Sequence, residues 1–161
     1  MKIEKRVLIF SDAHEYNSYI YKALIKHEDA KTVLFLGDGV DCVTELEEAF
    51  KAHEFICVKG NCDWYSTLCN DLPDTRLLEI CGKRIFMCHG HTFNVKYELK
   101  SVKHAARAAK ADVLLFGHTH TPLVDYEKDL HIINPGSCGR FGASYAVLDI
   151  GEECVANIIR F

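Results

Sequence analysis

Five short polar segments of this chain carry the carboxylate, amide and imidazole groups from which metal sites are built. Each follows an apolar stretch, and in chain order they are Asp12-Ala13-His14, Gly37-Asp38-Gly39, Gly60-Asn61-Cys62-Asp63, His89-Gly90-His91 and Gly117-His118-Thr119-His120. Polar groups beside a buried core need a partner, because burying them without a hydrogen bond costs free energy. A shared metal site would give that partner to all five segments.

Seven of these side chains are candidate metal ligands, more than one tetrahedral or octahedral ion can use while keeping room for water. They are Asp12, His14, Asp38, Asn61, His89, His118 and His120. We therefore expect two divalent ions, with manganese as the expected metal and iron, zinc or nickel as alternatives. The mixed oxygen and imidazole donors suit manganese, iron or zinc, and the affinity order alone does not choose among them. Two ions roughly 3.5 to 4 Å apart would clamp a phosphoryl group and turn a bridging water into hydroxide. Hydrolysis of a phosphoester by this metal-bridging hydroxide is the expected reaction.

The elements that must position these ligands follow from the apolar periodicity. The first half alternates strands at 7–10, 32–36 and 55–58 with helices at 16–27 and 42–52, a pattern typical of βαβ units. The polar segments then fall at the C-terminal ends of strands, where open α/β sheets collect their ligands. Neighbouring glycines allow tight turns there. Since residues i and i+2 of an extended segment point the same way, Asp12 with His14 and His118 with His120 should each reach one ion.

The second half is richer in strands and hairpin turns. Strands are predicted at 76–80, 84–88, 112–116, 123–126, 131–134, 144–149 and 154–160, with one helix over 96–109. An early βαβ half and a later strand-rich half predict two sheets packed face to face. The expected fold class is α/β, a four-layer αββα sandwich of two mixed β-sheets flanked by helices. With 161 residues the chain is expected to form a single domain, 1–161.

The ordered motifs DxH, GD, GNxD, HGH and GHTH, followed by Asn134-Pro135-Gly136-Ser137, resemble those of the calcineurin-like metallophosphoesterases. The small prokaryotic single-domain phosphodiesterases are the most similar branch, and the resemblance covers nearly the whole chain. It implies an αββα sandwich, a small phosphodiester substrate and a bridging carboxylate at Asp38. It also implies two ligand sets, of which one comprises Asp12, His14, Asp38 and His120 and the other Asp38, Asn61, His89 and His118. The catalytic geometry is expected to depend on Asp38, Asn61 and His89.

The position after Asn61 departs from the pattern of many family members, which carry a histidine there. This chain has Cys62, so it lacks an imidazole that could protonate the leaving group, and substrates whose leaving group departs unaided are favoured. A ligand role for the thiol is an alternative, but an oxygen-rich set does not need it. Asp63 is expected to fix the loop.

Four further side chains near these segments keep two interpretations each. His91 could contact substrate or face solvent, and Arg140 could meet a phosphate or lie on the surface. Trp64 and Tyr65 could line the substrate entrance or pack in the core. We include none of the four among the ligands.

Composition limits the remaining classes of function. The formal charge of −4 without a basic stripe argues against stable nucleic-acid binding, and no apolar run approaches the ~18 residues of a membrane span. Eight cysteines without a CxxC pair, and an N-terminus without a cleavage site, predict reduced thiols and a cytoplasmic location. Helix faces such as 105–109 could support a homodimer, which periodicity does not distinguish from burial within one chain.

The alternative from another class is a protein-binding scaffold of the same fold, similar to a retromer subunit with an incomplete ligand set. All seven ligands are present here, and a scaffold alone does not require them. The sequence therefore favours the enzyme.

Overall fold

The computed structural model describes residues 2–139 and 142–161, so Arg140 lies outside the described residues. These residues form three helices, α1 (Ser18–Lys26), α2 (Val40–Ala49) and α3 (Lys100–Ala108). The strands of the described residues are β1 (Lys5–Phe10), β2 (Thr32–Phe35), β3 (Glu54–Cys57), β4 (Thr75–Ile80), β5 (Lys83–Cys88), β6 (Val113–Leu115), β7 (Leu123–Glu127), β8 (Leu130–Asn134), β9 (Ser144–Ile150) and β10 (Cys154–Arg160). Single 3₁₀ turns occupy Asp63–Tyr65 and His91–Phe93.

The strands pair into two mixed five-stranded sheets. Sheet 1 has the order β10-β9-β1-β2-β3, and sheet 2 has the order β4-β5-β6-β8-β7. Strands β1, β2 and β3 are parallel, as are β5, β6 and β8, while β9, β10, β4 and β7 pair antiparallel with their neighbours. The predicted division into an early and a late sheet is wrong for β9 and β10, which return to sheet 1. Strand β9 is buried at every position because it lies between β10 and β1.

Side chains of the central strand β1 point alternately to its two faces, so they belong to two different layers of the core. In β1, Val7 and Ile9 pack between the sheets against residues such as Met87 of sheet 2, whereas Leu8 and Phe10 pack beneath α1 and α2. A third cluster joins sheet 2 to α3. Because side chains of a strand point alternately to its two faces, one strand serves two core layers. The predicted αββα sandwich is confirmed.

The alanine-rich face of α3 packs within its own chain. Val102 and Ala106 are fully buried against sheet 2, and Ala105 and Ala109 contact the same cluster. This burial accounts for the apolar face without a second copy.

The helices begin at other residues than the periodicity predicted. Helix α3 begins at Lys100 rather than at 96, because residues 94–97 form a separate turn, in which the backbone N–H of Tyr97 donates to the carbonyl oxygen of Asn94. Helix α2 begins earlier than predicted, at Val40, directly after the Gly37-Asp38-Gly39 turn. Within the described residues, no helix has the length and apolar character that a membrane crossing requires.

Candidate metal centre

The structure brings all seven predicted ligands to one end of the two sheets. Six of them, together with Cys62, form three overlapping groups of ligand atoms that lie within 4.8 Å of one another. The groups are Asp12 with His14 and His120, His14 with Asp38 and Cys62, and Asp38 with His89 and His118. The seventh candidate joins the third group, because the Oδ1 of Asn61 lies 3.2 Å from the Nε2 of His89.

Asp12 is fully buried, and its two oxygens have different surroundings. Oδ2 accepts hydrogen bonds from the Ser11 hydroxyl at 2.6 Å and from the backbone N–H of His118 at 3.0 Å. Oδ1 accepts none from the described residues. Nε2 of His120 lies 3.1 Å from Oδ1, an ion-pair distance outside hydrogen-bond geometry, and this contact with Asp12 raises the pKa of His120. Nε2 of His89 lies 3.9 Å away. The buried oxygen therefore has two imidazole nitrogens near it and accepts no hydrogen bond from the described residues.

Asp38 and His89 are oriented by backbone groups. The backbone N–H of Cys62 donates to Oδ1 of Asp38 at 2.7 Å, while Oδ2 lies 3.4 Å from Nε2 of His89. The other ring nitrogen of His89, Nδ1, lies 2.8 Å from the carbonyl oxygen of Leu36. A carbonyl only accepts, so we assign the proton to Nδ1 and direct Nε2 toward Asp38 and His118.

The charges of this cluster shift its pKa values in opposite directions. Burial acts to raise the pKa of Asp38, but the contact with His89 and the N–H of Cys62 outweigh it, and the net pKa falls well below the usual range. Burial acts to lower the pKa of His89, but Asp38 and Asp12 outweigh it, and the net pKa rises. Burial, followed by the charge of His89, lowers the pKa of His118 to about 4. The site therefore holds anionic oxygen beside imidazole nitrogen.

Asp63 joins the loops that follow β2 and β3. Its Oδ2 accepts the backbone N–H groups of Asp38 at 2.8 Å and Gly60 at 2.7 Å. Its Oδ1 accepts those of Gly39 at 2.7 Å and Val40 at 3.1 Å. The predicted loop-fixing role of Asp63 is confirmed, and the same contacts hold the start of α2.

The predicted reason why ligand pairs point together is wrong. Five of the ligands adopt left-handed backbone conformations rather than extended ones, namely Asp12 (φ 56°), His14 (φ 53°), Asp38 (φ 60°), His118 (φ 65°) and His120 (φ 59°). Non-glycine residues seldom adopt this conformation, and functional sites concentrate such residues. The side chains converge because the chain turns sharply after each strand. Asp12 and His14 share a group, but His118 and His120 belong to different groups, so the prediction that these two histidines reach one ion is wrong.

Two glycines let these turns approach one another. A Cβ atom on Gly60 would overlap Oδ1 of Asp38, and one on Gly117 would overlap the hydroxyl of Ser11 and crowd Oδ2 of Asp12. Neither position has room for a side chain. The glycines beside Asn61 and His118 therefore serve close packing against the ligands.

The segment 134–137 braces the loops that carry Asp12 and His118, a role that sequence reasoning did not assign. The side-chain amide of Asn134 donates to the Gly117 carbonyl and to the Thr119 hydroxyl, both at 3.0 Å. The hydroxyl of Ser137 donates to the Asp12 carbonyl at 2.8 Å. The only signal in the sequence was the motif itself, because two of its three partners are backbone carbonyls and all three lie at least 15 positions away in the chain.

The structure describes three of the four side chains for which the sequence left two interpretations. His91 is half-buried with its ring centroid 5.4 Å from that of His89 and 6.1 Å from that of His118, so it lies against the centre. Trp64 and Tyr65 are 78% and 56% exposed, which excludes core packing for both.

The donor set fits divalent cations. It combines carboxylate and amide oxygens with imidazole nitrogens, and it includes the buried Oδ1 of Asp12, which accepts no hydrogen bond from the residues that the structure describes. A cation beside that oxygen would offset the cost of burying its charge.

The comparisons with known proteins agree with this arrangement. The model of the calcineurin-like phosphoesterase superfamily domain matches residues 6–153. A probable metallophosphoesterase of Bacillus subtilis, YsnB, is 33% identical over 161 residues, 96% of this chain and 89% of that protein. Phosphodiesterase MJ0936 of Methanocaldococcus jannaschii is 28% identical over 145 residues, 83% of this chain and 84% of that protein.

A likeness in fold extends to Vps29 of Chaetomium thermophilum. Its crystal structure superposes with a TM-score of 0.76 at 18% identity, over 100% of this chain and 98% of that chain. At this identity the likeness concerns the fold alone. The family model, in contrast, spans nearly the whole chain and all seven predicted ligands. The chain therefore belongs to the calcineurin-like phosphoesterase superfamily.

Proposed function

We propose that this chain is a metal-dependent phosphodiesterase, formed by a single domain over residues 1–161, that hydrolyses a small phosphodiester. One divalent ion would be held by Asp12, His14, Asp38 and His120, and the other by Asp38, Asn61, His89 and His118. Asp38 would bind both ions. Asp38, Asn61 and His89 are the proposed catalytic residues, because they fix the positions of the reacting groups.

The observation that carries the proposal is the state of Asp12. Its carboxylate is 0% exposed, yet Oδ1 accepts no hydrogen bond from the described residues and faces His89 and His120. An unsatisfied buried carboxylate oxygen costs several kcal/mol at the order-of-magnitude level, and a nearby cation removes that cost. Within the described residues, the nearest group that could offset this cost is a protonated His120, whose Nε2 lies 3.1 Å from Oδ1.

The chain's own residues would prepare the ligands. The carbonyl oxygen of Leu36 accepts a hydrogen bond from Nδ1–H of His89, which leaves the lone pair of Nε2 directed into the centre. Ser11 and the N–H of His118 hold Oδ2 of Asp12, so Oδ1 stays available. Such outer contacts orient ligands and raise their affinity for metal. Any proton on Nε2 of His89 would be released as an ion binds.

Two bound divalent ions would supply hydroxide from water near neutral pH and neutralise charge on the phosphoryl oxygens. The oxygen and nitrogen donors of the seven ligands suit manganese, and iron, zinc or nickel can use the same donors.

A phosphodiester is proposed as substrate for two reasons. The Methanocaldococcus relative carries the name phosphodiesterase, and the position after Asn61 offers a thiol rather than an imidazole. A poor proton donor favours leaving groups that depart without protonation, such as aryl oxides.

All eight cysteines are free, which supports a reducing compartment and hence a cytoplasmic location.

Assays of the purified chain against an aryl phosphodiester and an aryl phosphomonoester test the proposal. Manganese, iron, zinc and nickel would each be added to metal-free protein. We expect hydrolysis that depends on the added ion and is faster with the diester. A chain that binds divalent ions yet hydrolyses neither ester with any of them would contradict the enzyme and favour the protein-binding scaffold.

A further inference from the structure

Cys62 places a thiol among the ligand atoms of the metal centre, although it is not one of the seven predicted ligands. Its Sγ forms a group with a ring nitrogen of His14 and a carboxylate oxygen of Asp38, in which all atoms lie within 4.8 Å of one another. His14 also belongs to the group of Asp12, and Asp38 also belongs to the group of His89. The thiol therefore neighbours two of the predicted ligands, each of which also belongs to another group.

The position of this thiol is fixed by neighbours on both sides. The backbone N–H of Cys62 donates to Oδ1 of Asp38 at 2.7 Å, and the side-chain amide of Asn61 donates to Sγ at 3.2 Å. Asp63, the next residue, is anchored to the loop after β2 through backbone N–H groups. The sulfur atom is thus held beside the carboxylate of Asp38, to which the thiol can donate.

Other thiols near the centre are directed elsewhere. Cys42 donates to the carbonyl oxygen of His14 and Cys138 to that of Ser11, both at 3.2 Å. These contacts turn the two sulfur atoms toward the backbone. Cys62 differs from both, because its sulfur shares a group with two side-chain ligands.

A second observation in the same centre points to a cation. The Oδ1 of Asp12 is buried and accepts no hydrogen bond from the described part of the chain. His14 connects Asp12 to the group that contains Cys62, because it is a member of both groups. The thiol and the buried carboxylate of Asp12 therefore both neighbour His14.

We propose that Cys62 is a further metal ligand, which binds as a thiolate the ion held by His14 and Asp38. This inference rests on the proposed function. On binding, the S–H proton passes to solvent as the sulfur–metal bond forms, so no oxidant or reductant is needed. A thiolate is a softer donor than carboxylate or imidazole, and it selects zinc or iron(II) over manganese. Cys62 thereby shifts the expected metal away from manganese.

Cobalt(II) provides the test, because a thiolate ligand gives it a charge-transfer absorption that oxygen and nitrogen ligands do not give. Metal-free wild-type protein, Cys62→Ser and Cys69→Ser would each be titrated with cobalt(II) in the near ultraviolet. Cys69 lies in the same loop region and outside the ligand groups of the described residues, so its variant is the matched control. We expect the absorption in the wild type and in Cys69→Ser, and its loss in Cys62→Ser.

Competition between zinc and manganese gives a second readout. Cys62→Ser should lose zinc affinity by about 10-fold or more while manganese affinity changes much less. Circular dichroism of the variants verifies folding, and Cys62→Ala replaces Cys62→Ser if the latter unfolds. Cobalt bound by the wild type without the absorption, or with the same absorption in Cys62→Ser, overturns the inference and leaves the proposed function intact. A wild-type chain that binds no divalent ion contradicts the proposed function itself.

Discussion

At the scale of the residue, Asp63 illustrates how a buried carboxylate can position ligands without binding metal. It is 1% exposed, and each of its oxygens accepts two backbone N–H groups from the loops after β2 and β3. One of those N–H groups belongs to Asp38, the proposed bridging residue. The geometry of the bridge therefore depends on a neighbour with no expected contact to the ion.

Replacing Asp63 by Asn tests this role. The amide keeps one acceptor oxygen and turns a donor group toward backbone N–H groups, so two of them lose their acceptor. We expect the free energy of unfolding to fall by about 3 kcal/mol, measured by urea denaturation with chelator present. Asp71→Asn, an exposed change in the same region, is the control and should be neutral. Equal stability of both variants would exclude the role assigned to Asp63.

A residue of the centre can be predicted from sequence when its side-chain type carries its role, but not when a backbone group or a spatial position does. The seven candidate ligands could be recognised because carboxylate, amide and imidazole groups in this order indicate metal binding by their type alone. The carbonyl of Leu36 that orients His89 has no such signature, since every residue carries a carbonyl. Cys62 was set aside because an oxygen-rich set does not need a thiol, and only the geometry places its sulfur beside His14 and Asp38.

At the scale of the element, the centre is built by loops that are packed against one another. Gly117 lies at the end of sheet 2 where a side chain would overlap the Ser11 hydroxyl after β1. The close contact between these loops brings Asp12 of sheet 1 beside His118 and His120 of sheet 2.

Gly117→Ala should therefore damage the centre more than the fold. The added methyl group displaces Ser11 and Asp12, and we expect the affinity for zinc to fall by about 10- to 100-fold in calorimetric titration. Gly82→Ala is the control. Gly82 lies in the β4–β5 turn with φ +73° and open space around it, so its variant should lose about 1 kcal/mol of stability and bind zinc normally. Normal zinc binding by Gly117→Ala would contradict this account of the loops.

The strands themselves were predictable and their assignment to sheets was not. Apolar runs located all ten strands of the described residues to within a few positions, because burial imposes short-range patterns. The pairing of β9 with β1 joins residues such as Ile9 and Ala146, far apart in the chain, and no local pattern encodes that partner. The left-handed turns at the ligands were equally hidden, since Asp and His also occur in extended segments.

At the scale of the whole molecule, contacts between α1 and sheet 1 make stability sensitive to pH. Nε2 of His27 lies 2.8 Å from the hydroxyl of the buried Tyr145. Burial, and then the charges of Lys26 and Arg6, lower the pKa of His27 below its ordinary 6.5. The folded state thus favours neutral His27 more than the unfolded state does.

The sign of the pH effect follows from that shift. The contribution of His27 to stability is complete above the unfolded pKa of 6.5 and is lost as the pH falls through the lower folded pKa. We expect wild-type protein to lose more unfolding free energy than His27→Gln between about pH 7.5 and about pH 5. His104→Gln, at an exposed histidine of α3, should lose as much as the wild type. The same loss in His27→Gln and wild type would refute the assignment.

The most direct test of the central claim is the hydrolysis of an aryl phosphodiester by metal-loaded wild-type protein and by Asp38→Asn. The substitution keeps the size of the side chain but removes the charge that would bind both ions. We predict that wild-type hydrolysis requires an added divalent ion and that the variant loses about 1,000-fold in rate while its circular dichroism is unchanged. Turnover by Asp38→Asn at the wild-type rate would contradict a two-ion centre bridged by Asp38.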